Sequence, residues 1–324
     1  MRGFMKTKSA LNQFLILISV VLVSFFVVGL IGTFILSAVT GIGISEMADL
    51  SKMDFTKASN VNFLRGMQGV QFVSLFLIPT IFCTWLFSTD TKKYLGLKPP
   101  SNTGFIVAGL GVMLIAIPFT GWLGELNRNI PFPDEMAGWM KEKEADAART
   151  IQALLSRHTI QDLLLNILSI AVFAAVGEEL LFRGMVQRLL IKMFKSPWAG
   201  ILISAALFSA MHMQFYGFFP RFALGILLGL IYWYSGSLWV AILAHFVYDA
   251  VLIILAYNNP QMIEAENNIP MSNLVLAGSI SLLLVFVLVS WMRKKSVTRF
   301  NLVYAGDESP VKNHPFDFDK NTPE

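Results

Sequence analysis

Eight stretches of this chain, near residues 12–37, 66–87, 104–124, 161–182, 198–216, 219–235, 237–257 and 272–292, are apolar. Each is close to the about 20 residues that a helix needs to cross a bilayer. Inside hydrocarbon a backbone must satisfy its own polar groups, so repeated stretches of this kind fold as a bundle of helices. Composition agrees: 55% of the 324 residues are hydrophobic and only 14% charged, too apolar a balance for a water-soluble domain. The sequence therefore predicts an all-α polytopic membrane protein with about eight transmembrane helices, integral to the lipid bilayer. Only Ser235-Gly236-Ser237 divides the sixth stretch from the seventh, and that tripeptide reads as a tight turn. The first stretch exceeds a signal-peptide core and no small-residue cleavage site follows it, so it reads as a retained anchor. Cys83, the single cysteine, lies inside the second stretch, which excludes a disulfide framework and a thiolate metal cluster.

Lysine and arginine collect at alternate ends of these stretches. Arg2, Lys6 and Lys8 precede the first; Lys92, Lys93 and Lys98 follow the second; Arg188, Lys192 and Lys195 follow the fourth; Arg293, Lys294, Lys295 and Arg299 follow the eighth. Eight crossings put all four groups on one side. The opposite connections, 38–65, 125–160 and 258–271, are mixed or acidic, with Asp134, Glu135, Glu142, Glu144, Asp146, Glu264 and Glu266. The positive-inside rule then places both termini in the cytoplasm, in what reads as a bacterial cytoplasmic membrane. The net charge of +4 is spread over these anchors and is not interleaved with aromatics, so no nucleic-acid partner is expected. Residues 1–160 read as a three-span region with an external amphipathic connection, 161–257 as a core, 258–300 as the last span, and 301–324 as a disordered cytoplasmic tail.

Two of the four histidines, His158 and His314, lie in polar segments, whereas His212 and His245 sit within apolar ones. Ionisable groups at membrane depth are costly and face a bundle interior or a wet cavity, which makes each a functional candidate; the competing reading is that they hold helices together. Glu179 and Arg183 are spaced i,i+4, the spacing of a helical ion pair, while the adjacent Glu178 points about 100° away around the axis and has no such partner. His245 and Asp249 share the same spacing, so the carboxylate can orient the ring or share a proton with it. Phe208 stands four residues before His212 and reads as a wall of the site. Counting about 1.5 Å per residue from the turn at Ser196-Pro197 brings Glu178 within roughly 5 Å of the depth of His212. A carboxylate, two imidazoles and a second carboxylate in one dry cavity are suited to activating a water.

The three pieces, EELLFR at 178–183, FSAMH at 208–212 and HFVYD at 245–249, fit the patterns EExxxR, FxxxH and HxxxN/D. In that order on successive apolar stretches they resemble the type II CAAX prenyl endopeptidase and bacteriocin-processing (CPBP, Abi-like) family, over about 161–257. The resemblance implies an intramembrane endopeptidase with a four-helix catalytic core. Glu178 and His212 would activate the attacking water, and His245 and Asp249 would stabilise the oxyanion, with Glu179, Arg183 and Phe208 in support. An ionised Asp249 only accepts hydrogen bonds, whereas the asparagine of many relatives donates; Asp249 must be protonated, orient His245, or ligate a metal.

The resemblance leaves metal dependence open. Glu178, His212 and His245 would supply a His2Glu set of the kind that binds catalytic zinc, yet no HExxH fixes its geometry, and a metal-free mechanism is the other reading. The expected substrate is a peptide or a membrane protein. Two other functions compete: a proton-coupled transporter with a Glu178, His212, His245, Asp249 relay, against which stands the lack of internal duplication, and an inactive scaffold, which would gain nothing from so costly a polar set.

Overall fold

A computed structural model describes residues 2–43, 46, 53–259 and 270–304. The expected tail beyond 304, His314, and most of the 258–271 connection with Glu264 and Glu266 lie outside the described residues. Among the described residues the chain is all-α, without strands. The long elements are α1 (Ala10–Thr40), α2 (Ala58–Phe87), α4 (Gly104–Arg128), α5 (Asp134–Leu155), α6 (Ile160–Phe194), α7 (Pro197–Met211), α8 (Phe218–Ser235), α9 (Leu238–Asn258) and α10 (Met271–Lys295), with short α3 (Thr91–Leu95) and α11 (Phe300–Tyr304).

Seven helices are long and apolar enough to cross a membrane. The expected fifth span, 198–216, is instead the shorter α7, 15 residues long. Its start is set locally: Pro197 supplies a helical φ at the first position and the Ser196 hydroxyl accepts the Ala199 N–H. Its end is set by Met213, whose φ of 55° takes the chain out of the helix directly after His212. The turn expected at 235–237 is present, with Gly236 at φ 65° closing α8 before α9 begins.

Hydrogen bonds outside the helices sort the connections into two ends. At one end the Gly3 and Met5 N–H groups donate to the Trp85 and Leu86 carbonyls at 2.9 Å, and Leu238 N–H donates to Gly96 O at 2.9 Å. There too the Tyr304 hydroxyl donates to Arg188 O at 2.9 Å. At the other end Asn127 bonds Phe215 O at 2.9 Å and the Phe219 N–H at 2.8 Å, and the Tyr257 hydroxyl donates to His158 O at 2.6 Å. The basic connections thus share one end of the bundle, and α7 with the loop after it runs from that end toward the other.

The two largest of four apolar clusters among the described residues hold the bundle together. One joins α1, α2 and α6 through Leu17, Phe76, Phe87, Met185 and Leu189; the other joins α4, α8, α9 and α10 through Phe105, Met113, Leu228, Ala244 and Met292. A buried ion pair, Arg65 to Asp162 at 2.9 Å, ties α2 to the start of α6. Helix α6 widens into a π-turn over Phe182–Gln187, directly after the paired glutamates. Such turns shift the facing of the residues that follow and recur at functional sites.

Candidate active site

The seven residues singled out by sequence lie on α6, α7 and α9, and the structure brings all of them together. The centre of the arrangement is Glu178. Its Oε1 is 3.9 Å from His212 Nε2 and its Oε2 is 3.9 Å from His245 Nε2, so each imidazole addresses a different oxygen of one carboxylate. Both separations exceed a direct hydrogen bond.

Each ring is held from behind through its Nδ1. His212 Nδ1 lies 2.9 Å from the Phe208 carbonyl one turn earlier on α7, and a carbonyl can only accept, so that nitrogen carries the proton. His245 Nδ1 lies 2.9 Å from Glu179 Oε1, again an acceptor when ionised. In neutral rings this leaves both Nε2 atoms unprotonated, that of His212 facing Glu178 and that of His245 facing Glu178 and Asp249. His245 Nε2 also stands 3.3 Å from Asp249 Oδ2; a contact between two acceptors is unfavourable, so one proton is shared between that nitrogen and that carboxyl.

Glu179 and Arg183 form the expected ion pair at 2.9 Å, with side chains 0% and 1% exposed. Burial this complete makes their pairing obligatory. The guanidinium is further bound to the Gly225 carbonyl of α8 at 3.0 Å and lies 4.7 Å from the centre of the Phe208 ring. Gly225 is required by close approach: a Cβ there would stand 2.9 Å from the Ala205 Cβ of α7. Phe208 makes edge contacts with Phe182, His212 and His245 at 5.3, 5.2 and 6.3 Å between ring centres. It is the wall expected, and also a platform for the arginine.

Exposure is uneven across the cluster. His212 and Asp249 have side chains 27% and 23% exposed, against 12% for Glu178 and 8% for His245. The open edge therefore runs between His212 and Asp249, with Glu178 behind it. The loop after His212 is tied down by Arg221 of α8, which donates to the Gln214 carbonyl at 2.9 Å and to the Gln214 side-chain oxygen.

Sequence reasoning missed three connections: the Glu179–His245 bond, the Arg183–Gly225 bond, and the Arg221 clamp. The i,i+4 rule finds only partners on one helix, whereas the first two run between helices and the third runs from α8 back to the loop before it. His158 takes no part; its ring lies 5.8 Å from that of Tyr257, tilted by 50°, at the far end of the bundle.

A zinc ion held by two imidazoles and a carboxylate has bonds of about 2.0–2.2 Å and a tetrahedral geometry that sets ligand atoms about 3.3 Å apart. Both Nε2 to Glu178 separations here are 3.9 Å and fall on different oxygens. No group of three or more His, Cys, Asp or Glu among the described residues could hold a metal ion. In this arrangement Glu178, His212 and His245 do not fit a zinc ion.

The fold and the cluster define a class: an all-α polytopic membrane protein with a carboxylate–imidazole centre inside its bundle. Residues 160–251, which carry the whole cluster, match the type II CAAX prenyl endopeptidase Rce1-like family, a family of membrane proteases. The uncharacterized protein YpbD of Bacillus subtilis (strain 168) is 32% identical over 90 residues, which cover 26% of this chain and 43% of the Bacillus protein. The match thus spans less than half of that relative's length. No solved structure matches the chain.

Proposed function

We propose that this protein is an intramembrane endopeptidase that cleaves a peptide or membrane-protein substrate with a water activated by Glu178 and His212. The observation that carries the reading is the pair of 3.9 Å separations between the two oxygens of Glu178 and the two Nε2 atoms. They are too long for direct bonds and suited to a molecule placed between them. A water between Glu178 Oε1 and His212 Nε2 meets two acceptors, one for each of its protons, and its oxygen lone pair is then free for attack.

The water adds to the peptide carbonyl carbon and Glu178 takes its proton. The carbonyl oxygen becomes an oxyanion on the side of His245 and Asp249, where the proton shared by Nε2 and the carboxyl is the donor available to it. Collapse of the tetrahedral intermediate breaks the C–N bond, and the proton held by Glu178 passes to the leaving amine. The products are a free amine and a carboxylic acid, which gives up its proton to solvent. Glu179 and Arg183 act at one remove: they hold the His245 ring and fix α8 against α6.

Comparative proteomics of membrane fractions from cells carrying the wild-type or the Glu178→Gln copy tests this reading. Uncleaved precursors are expected to accumulate with Glu178→Gln. Identical peptide profiles in the two fractions would overturn it.

A further inference from the structure

At the basic end of the bundle, away from the Glu178 cluster, the start of α7, the end of α8 and the segment after α10 enclose a cavity of about 340 Å3. Trp198, Trp233 and Tyr234 line it together with Arg293, Ser296 and Arg299. Among the described residues no carboxylate lines it. Neither arginine has a carboxylate partner within ion-pair distance among them; Arg299 instead donates to the carbonyls of Ser296 and Thr298, at 3.4 and 2.9 Å. Two such hydrogen bonds orient the guanidinium, and among the described residues no carboxylate compensates its charge. The segment is held in place by Ser296, which is buried and accepts the Thr298 N–H, and by Thr298, packed against the turn at Gly236.

The position decides what such a site can take. Tryptophan and tyrosine prefer the level of the lipid headgroups, where the ring is half in hydrocarbon and the N–H or O–H is wet. Arginine beside them presents several donors in a plane, the geometry that binds a phosphate through paired hydrogen bonds. Trp198 is 52% exposed and Arg293 and Arg299 are exposed as well, so the cavity opens both to where acyl chains would lie and to the headgroup level.

We propose that this cavity binds the phosphate of an anionic lipid headgroup, with Arg293 and Arg299 on the phosphate and Trp198, Trp233 and Tyr234 against the glycerol and upper acyl region. The site stands independently of the hydrolytic reading. It adds a defined lipid contact to α7 and α8, the hairpin that carries His212 and the Gly225 carbonyl.

The test uses the full-length protein, purified in a neutral detergent, stripped of co-purified lipid and titrated by calorimetry. The probes are short-chain phosphatidylglycerol, short-chain phosphatidylcholine and inorganic phosphate. Phosphatidylglycerol is expected to saturate one site and to bind at least about tenfold more tightly than phosphatidylcholine, since the difference is the charge the two arginines meet. Affinity should fall with added salt. The R293Q/R299Q variant should weaken it by about tenfold or more, whereas K92Q/K93Q, basic residues at the same end but outside the cavity, should leave it unchanged. Both variants alter exposed side chains, and unchanged melting temperatures would verify folding. The proposal is overturned by absence of saturable binding, by equal affinity for the two lipids, or by equal loss in both variants, which would mean diffuse attraction to a basic surface. Inorganic phosphate binding as tightly as phosphatidylglycerol would overturn it as well, making the site one for a free anion.

Discussion

His245 Nδ1 lies 2.9 Å from Oε1 of Glu179, and the same oxygen accepts from Arg183 Nη1 at 2.9 Å. One atom therefore fixes both the imidazole and the buried guanidinium. Glu179→Gln removes the negative charge and leaves Arg183 uncompensated where nothing wet can reach it. The expected loss is about 3–5 kcal/mol of stability, read as a lowered melting temperature in detergent, and E179Q/R183M should recover part of it. An unchanged melting temperature for Glu179→Gln would show that the charge is not structural.

Glu178 differs from its neighbour because its two oxygens face Nε2 atoms at 3.9 Å and make no ion pair with an arginine. Glu178→Gln should lower the rate of peptide hydrolysis by about 10²–10⁴-fold or more, the contribution of a positioned base, while the melting temperature stays within a degree or so of wild type. The two glutamates are thereby separated by measurement. Equal melting shifts at 178 and 179 would sink the division of labour between them.

Asp249 touches His245 Nε2 at 3.3 Å. If the proton between them serves the oxyanion, Asp249→Asn should keep much of the activity, because an amide N–H donates in the same place without titrating. If Asp249 were instead a metal ligand, the variant would lose activity and regain it in excess zinc. Assay of the variant with a chelator and with added zinc tells these apart, and activity indifferent to both treatments supports the proton-sharing role.

Phe208 supports Arg183 on its face and both histidines along its edge. Phe208→Ala should cost about 3–5 kcal/mol from the cavity alone, with an added loss of activity as His212 gains freedom. Thermal melting of the purified variant checks the first effect. A melting temperature equal to that of wild type would mean that the site collapses around the missing ring.

Cys83 is fully buried, so the wild-type chain should give no signal with a membrane-impermeant thiol reagent. Lys143→Cys, on α5, and Lys92→Cys, on α3, belong to opposite ends of the bundle, and by the charge rule the first should label from outside intact cells and the second only after permeabilisation. Labelling of both from the outside would overturn the assigned orientation.

What the sequence determined by itself was local. The lengths of apolar stretches placed the helices, though of the eight expected spans seven are long and apolar enough to cross a membrane among the described residues; the alternation of Lys and Arg paired the ends, and i,i+4 spacing picked out Glu179 with Arg183, His245 with Asp249 and Phe208 with His212, because helical geometry is the same wherever a helix stands. Only the tertiary structure decided that α7 stops at Met211, that Glu179 reaches across to His245, and that Arg183 spans to Gly225 on α8. Those contacts depend on how far apart helix axes lie and which faces meet. Packing glycines and the π-turn after the glutamates set both, and no periodicity along one helix encodes them.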